Sequence, residues 1–399
     1  MQTRNKVLVG LQHALSMAGA TLLVPLLTGF PVSIALFASG VGTLIFHYIT
    51  KEKVPAYLGS SFAFIAPLSL VVAEYGGVSS ALGGIIYAGI VYLIFGLIIK
   101  KSGKKIIKKM FPPIITGSVI MLIGLSLAPV AIDQIGTSPK DLLVALVTFT
   151  VAILTILKGK GLIKILPVLT GLTAGYFLSL SLGMVDTSVI GQANVLGLPA
   201  FQLPTFNLNA ILIIAPVAIV TVVEHIGDIL AIGETTGQNV IDEPGIHSTL
   251  MGDGVATMFA GLVGGVPNTT YGENIGVLNL TKVYDSKVVQ IGAVVAIIAS
   301  FIPKIEGVLM SIPQPVLGGI SILLFGMIAS VGIRTLIKES VDLYNCRNLV
   351  IISSILVIGL GDAVINIGVV EVSSIALASI VGIILNLVLP EGEGKLKNE

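Results

Sequence analysis

The sequence predicts an all-α polytopic membrane protein: about fourteen transmembrane segments in two inverted seven-span repeats, with short extended stretches in spans 3 and 10. Three observations carry that reading. The 399 residues are 54 % hydrophobic and only 11 % charged, with a mean hydropathy of +1.02, whereas a soluble domain carries roughly 25 % charge. Long apolar runs such as 85–99 and 142–157 favour helices, because backbone in hydrocarbon must satisfy its polar groups internally. Two stretches half a chain apart also echo each other.

Taken in order, apolar segments separated by Gly, Pro or charge place the spans at 7–26, 32–50, 55–73, 79–99, 110–132, 141–157, 163–183, 209–231, 248–265, 268–284, 288–303, 307–330, 348–361 and 370–389. The first segment, from Val7, lacks a small-residue cleavage site and reads as a retained span. Basic residues test the count. Arg4, Lys6, Lys51, Lys53, the lysines at 100, 101, 104, 105, 108 and 109, Lys158, Lys160, Lys164, Lys282, Lys287, Arg334, Lys338, Arg347, Lys395 and Lys397 fall on one side. Lys140 and Lys304 fall on the other. By the positive-inside rule both termini of this multi-pass protein are expected to be cytoplasmic.

Composition also excludes several functions. The net charge of +1 offers no basic patch for nucleic acid, and the single Cys346 permits no internal disulfide. No HExxH, GxSxG or cysteine cluster supplies a metal or a nucleophile, so no enzyme, cofactor or metal is expected.

The echo is specific in its positions. Pro113, Gly117 and Gly124 in span 5 recur at one constant offset as Pro315, Gly319 and Gly326 in span 12. Gln12-His13 and Glu224-His225 form a weaker match, as do Gly59 and Gly272. Seven spans per copy is odd, so the second copy runs through the membrane upside down, and the plan predicts a binding site at the repeat interface.

Spans 3 and 10 are the candidates for the broken segments that build it. YLGSSF (Tyr57 to Phe62) and NTTYGENI (Asn268 to Ile275) are too polar and glycine-rich for a lipid-facing helix. Irregular backbone is tolerated at membrane depth only beside protein or a water-filled cavity. The alternative is a pair of loops dipping into the headgroups. Glu273, between glycines, costs roughly 2.5–3.5 kcal/mol at the bilayer centre, which marks it as functional. Glu224 and Asp228, four residues apart in span 8, share one helix face. Two carboxylates a turn apart in low dielectric do not both ionise cheaply, so one can carry a proton during transport. His13 and His225 adjoin the repeat-related positions, as orienting groups or as direct ligands. Asp253 is either a helix N-terminal acid or a support for the site. Glu234, Asp242, Glu243 and His247 read as a connecting loop.

PNTTYGENIG (Pro267 to Gly276), the run Glu273-Asn274-x-Gly276-x4-Thr281-Lys282, PAYLGSSFAFIAP (Pro55 to Pro67), the Glu224-His225 pair and IPQPVLGG (Ile312 to Gly319) resemble the nucleobase/ascorbate transporter family, over essentially the whole chain. Within it the likeness is greatest to the bacterial uracil carriers. The resemblance implies a core domain (1–99, spans 1–4; 205–303, spans 8–11) and a gate domain (100–204, spans 5–7; 304–399, spans 12–14 and the tail), with substrate between them. It implies a proton-coupled symporter of the inner (plasma) membrane working by alternating access, and a homodimer through the gate domain. Carried over by position, Glu224 and Glu273 accept hydrogen bonds from the ring N–H groups of uracil, and Phe62 lines the base. Backbone near Ser61, Gly272, Tyr271 and Ala20 completes the contacts. Asp228 with Glu224 and Glu273 couples the proton, while His13, His225, Asn274, Asp253 and Phe325 support the site. Uracil has two N–H donors and two carbonyl acceptors, which matches two carboxylates plus free backbone N–H groups. Two alternatives stay open. Asp228, where uracil carriers place a histidine, resembles the purine (xanthine/urate) symporters, as Asp253 and Phe325 depart from the amide and tyrosine of the uracil type; and an anion exchanger shares the inverted-repeat plan.

Overall fold

The computed structural model describes residues 3–103, 109, 111–161, 163–272, 274–361, 363, 365–367, 370–372 and 374–390. Glu273, the lysines at 104, 105, 108, 395 and 397 lie outside the described residues.

The chain is predominantly helical. In order it forms α1 (Thr3–Thr28), α2 (Val32–Ile49), β1 (Leu58–Ser60), a single 3-10 turn (Phe62–Phe64), α3 (Ile65–Glu74), α4 (Gly77–Ser102), α5 (Pro113–Ser126), α6 (Ala128–Ile135), α7 (Pro139–Lys158), α8 (Pro167–Ser181) and α9 (Ser188–Gln192). Then follow α10 (Leu208–Ile214), α11 (Ala218–Thr236), α12 (Ile246–Val263), β2 (Asn268–Thr270), α13 (Asn274–Thr281), α14 (Ser286–Ser300), α15 (Pro303–Met310), α16 (Gln314–Lys338), α17 (Cys346–Leu360), β3 (Ile365–Ile367), β4 (Val370–Val372) and α18 (Ser374–Val388).

Local chemistry sets many of these boundaries. Ser138 and Asp141 close a reciprocal capping box on α7, with Asp141 N–H donating to Ser138 Oγ at 3.1 Å and Ser138 N–H to Asp141 Oδ2 at 3.2 Å. Gly237, in the left-handed region at φ 72°, ends α11. Pro313 is extended and lacks an N–H, so α16 starts anew at Gln314 instead of running on from 307 as expected for span 12. The preceding pair, α14 and α15, is bent by 83°.

Seven helical segments among the described residues are long and apolar enough to cross a bilayer: Lys6–Thr28, Val32–Ile49, Gly77–Ser102, Pro113–Ile135, Pro139–Lys158, Leu208–Thr236 and Gln314–Lys338. Counting the bent pair α14 and α15 adds an eighth. Among the described residues of this multi-pass membrane protein, seven or eight of the fourteen expected crossings are therefore full-length apolar spans. Other expected crossings are shorter apolar helices, Phe62–Glu74, Cys346–Leu360 and Ser374–Val388. At 1.5 Å per residue a fifteen-residue helix is about 22 Å long, short of the roughly 30 Å hydrocarbon core. Span 14 also starts later than expected, because residues 370–372 pair with 365–367 as an antiparallel hairpin.

Helix packing falls into two groups. In the first, α12 lies against α4 and α2, α14 against α2 and α1, and α10 and α11 against α4. In the second, α16 lies against α5, α6, α7 and α8, with α17 and α18 packed on each other and on α5. The groups meet where α11 touches α5 and α18, and where α1 touches α8. Small residues permit the tightest crossings. A methyl on Gly89 of α4 would stand 2.6 Å from the Gly254 carbonyl of α12. One on Gly124 of α5 would stand 2.5 Å from the Phe325 carbonyl of α16, and one on Gly319 of α16 would stand 2.5 Å from the Ala145 carbonyl of α7. Gly326, the echo of Gly124, faces open space. The repeat is therefore one of position more than of contact there.

Candidate functional site

Residues 55–62 and 267–271 are buried, and their backbones meet. β1 and β2 pair antiparallel in the register Leu58↔Thr270, Gly59↔Thr269 and Ser60↔Asn268. Beyond the strands the ladder continues from Ser61 N–H to Pro267 O at 2.9 Å and from Tyr271 N–H to Tyr57 O at 3.3 Å. A three-residue strand pair cannot hold itself in place. Side-chain bonds between the strands and the surrounding helices do so instead. On α2, Ser39 Oγ donates to Leu58 O at 2.6 Å while Thr43 Oγ1 accepts from Leu58 N–H at 3.0 Å. Ser60 Oγ donates to Thr21 O of α1 at 2.9 Å. Asn268 Nδ2 donates to Ala38 O at 3.0 Å, and Thr257 Oγ1 of α12 donates to Asn268 O at 2.8 Å. Gly59 allows the closest approach, since a methyl there would run into the Tyr271 ring and stand 2.7 Å from Thr21 Oγ1.

The acids sit beside this ladder. Glu224 is half-buried and Asp228 buried, one turn apart on α11. Asp228 abuts the end of β2: a methyl on Gly272 would stand 3.0 Å from its Oδ1. Glu273 follows Gly272 directly in the chain and lies outside the described residues.

His225, the next residue after Glu224, serves another face. Its Nδ1 lies 2.7 Å from Asp253 Oδ2 and its Nε2 lies 2.9 Å from Thr249 Oγ1, all with the His225 and Asp253 side chains fully buried. Asp253 Oδ2 also accepts from Thr270 N–H at 3.2 Å, and Thr270 Oγ1 lies 3.1 Å from His225 Nδ1. Asp253 stands in the middle of α12 and caps nothing at its N-terminus. The His225–Asp253 pair instead ties α11, α12 and β2 together. On the opposite flank His13 Nδ1 of α1 lies 2.8 Å from Asn274 Oδ1, and Asn274 Nδ2 donates to Pro55 O at 2.7 Å. Both histidines act as braces.

Aromatic rings form a further wall. Phe62 stacks on Tyr271 with centroids 6.3 Å apart and an interplanar angle of 21°, and meets Phe325 edge-on at 6.1 Å. Phe325 belongs to α16, so this wall spans both helix groups. Tyr271 uses its hydroxyl on Ser60 O at 2.8 Å. Ser61 differs from expectation: its N–H is taken by the ladder, and what it presents is a buried hydroxyl with no partner among the described residues. Ala20 lies in α1, directly before Thr21.

Several contributors escaped sequence reasoning. Ser39 and Thr43, four apart in α2, and Thr257 in α12 bond the ladder backbone, while Thr249 in α12 holds His225. The i, i+4 spacing of Ser39 and Thr43 puts two hydroxyls on one face of α2, a signal for a polar contact there but not for its partner. Glu234 is in the last turn of α11, not in a connecting loop, and pairs with Lys338 at the end of α16. His247 likewise lies in the first turn of α12.

Comparison with known proteins is consistent across sequence and fold. Residues 4–388 match the family Xan_ur_permease, described as a permease family. The uracil permease of Bacillus caldolyticus is 46% identical over 397 residues, covering 96% of this chain and 92% of that protein. The uracil permease of Escherichia coli K12 is 40% identical over 388 residues, covering 95% and 90%. Among solved structures, the transmembrane domain of the cyanobacterium bicarbonate transporter BicA superposes with a TM-score of 0.64 at 17% identity, covering 97% of this chain and 98% of that one. The murine anion transporter Slc26a9 in its inward-facing state gives 0.72 at 12% identity, covering 97% and 68%. At such identities these two share the fold.

Proposed function

The chain belongs to the nucleobase/ascorbate transporter family of permeases, and from that premise we propose that it imports uracil across the inner membrane, coupled to protons, by alternating access. The observation that carries this reading is the placement of Asp228 against Gly272, which sets the acidic face of α11 beside the buried β1–β2 ladder. Glu224 and Glu273 accept the two ring N–H groups, and the stacked Phe62 and Tyr271 offer a planar apolar face to the base. Asp228 carries the proton in exchange with these carboxylates. Both termini are cytoplasmic, and the second seven-span repeat inverts the first. The first packing group is the core and the second the gate, which also forms a homodimer. The core moves against the gate along the contacts of α11 with α5 and α18.

Uptake of labelled uracil, xanthine, urate and bicarbonate into proteoliposomes, with and without an inward proton gradient, tests this reading. Gradient-stimulated uracil uptake supports it. Xanthine or urate in place of uracil moves the assignment to the purine reading that Asp228 favours, and bicarbonate uptake indifferent to nucleobases overturns both.

A further inference from the structure

We propose that Glu234 and Lys338 form a cytoplasmic latch between the two helix groups, a role that rests on the alternating-access reading above. The two side chains make an ion pair, each about half exposed at 53% and 50%. Glu234 closes α11 and Lys338 is the last residue of α16. The ion pairs Lys6–Asp285 and Lys53–Glu243 each stay within the first group, whereas this one crosses to the second.

Its position gives it leverage. α11 carries Glu224 and Asp228, and α16 carries Phe325 of the aromatic wall. At 1.5 Å per residue, Glu234 lies about 9 Å beyond Asp228 along α11, and Lys338 about 20 Å beyond Phe325 along α16. The two helices that flank the acids and the rings are therefore tied to each other below the site. The tie lies on the side where the lysines and arginines concentrate. Nearer the site, α11 meets α5 in apolar packing where Gly227 faces Ile120. Opening the cytoplasmic path separates α11 from α16 and breaks the pair; closing remakes it. A half-exposed ion pair is worth about a two- to fivefold population shift, enough to bias a gate without locking it.

The test reads opening directly. In a Cys346→Ser background, Ile120→Cys places one thiol against Gly227, and its alkylation rate is measured in inside-out vesicles without substrate. Glu234→Gln and Lys338→Gln should each raise the rate about two- to fivefold, and the charge swap Glu234→Lys with Lys338→Glu should return it to the starting value. High salt should mimic the single variants. Unchanged rates in both single variants overturn the latch, as does a swap that behaves like them. Because the thiol reports without substrate, a wrong nucleobase assignment leaves this result standing.

Discussion

Asp228 and Gly272 meet across two separate elements, a long helix and the end of a two-stranded ladder, at a distance that makes any side chain on the glycine a tight fit. A methyl there would stand 3.0 Å from Asp228 Oδ1. Gly272→Ala should push the carboxylate by a few tenths of an ångström and lower uracil uptake about tenfold, since misplacement of this size is costly where geometry carries function. Measured protein yield and melting temperature should stay near wild type, because Gly272 is only half-buried.

Glu224→Gln keeps the shape of the side chain but replaces one acceptor oxygen by a donor. A charge-assisted hydrogen bond contributes about 1.5–3 kcal/mol, so uracil affinity should fall roughly ten- to a hundredfold. Ligand-induced stabilisation in a thermal-shift titration measures it.

Asn274→Ala removes both the bond to His13 and the donor to Pro55 O. Each orphaned buried partner costs about 1–3 kcal/mol. The variant should unfold at lower temperature in detergent even without substrate, which separates this bracing role from a contact with the base.

The ion pair Lys6–Asp285 joins the start of α1 to the turn before α14. The hydrogen bond from Lys6 holds the Asp285 carboxyl below its usual range. A depressed folded-state pKa stabilises the protein above the unfolded value, and that contribution disappears as pH falls through the folded one. The melting temperature of Asp285→Asn should therefore lie below wild type by about a degree from pH 5 to 8, the modest effect expected of a solvent-screened pair, with the gap closing below about pH 4.

What was legible in the sequence was whatever depends on composition or on a short motif. The membrane class followed from the scarcity of charge. The broken segments followed from TTYGEN and YLGSSF, because glycine and hydroxyls in an otherwise apolar chain announce backbone that is not a lipid-facing helix. Pairings between distant residues left no such trace. Nothing in a period of 3.6 says that Glu234 finds Lys338, that Ser39 and Thr43 clasp Leu58, or that Ser61 spends its N–H on Pro267. Helix ends were misjudged where proline intervened, as at Pro313, and the hairpin of β3 and β4 hid in an apolar run that also fits a helix.

The ladder at the centre of the molecule joins strands from opposite halves of the chain, with Ser60 and Tyr271 bonded across 211 residues of sequence. Such a contact is among the last to form, because its loop-closure entropy is not repaid until the intervening helices are in place. During synthesis the first half therefore enters the bilayer with β1 lacking its partner strand, held only by first-half contacts such as the Leu58 N–H to Thr43 Oγ1 bond. With the site proposed beside this ladder, an emerging chain has nothing for substrate to occupy until residues beyond 270 arrive, so substrate should stabilise only the late stages of its assembly.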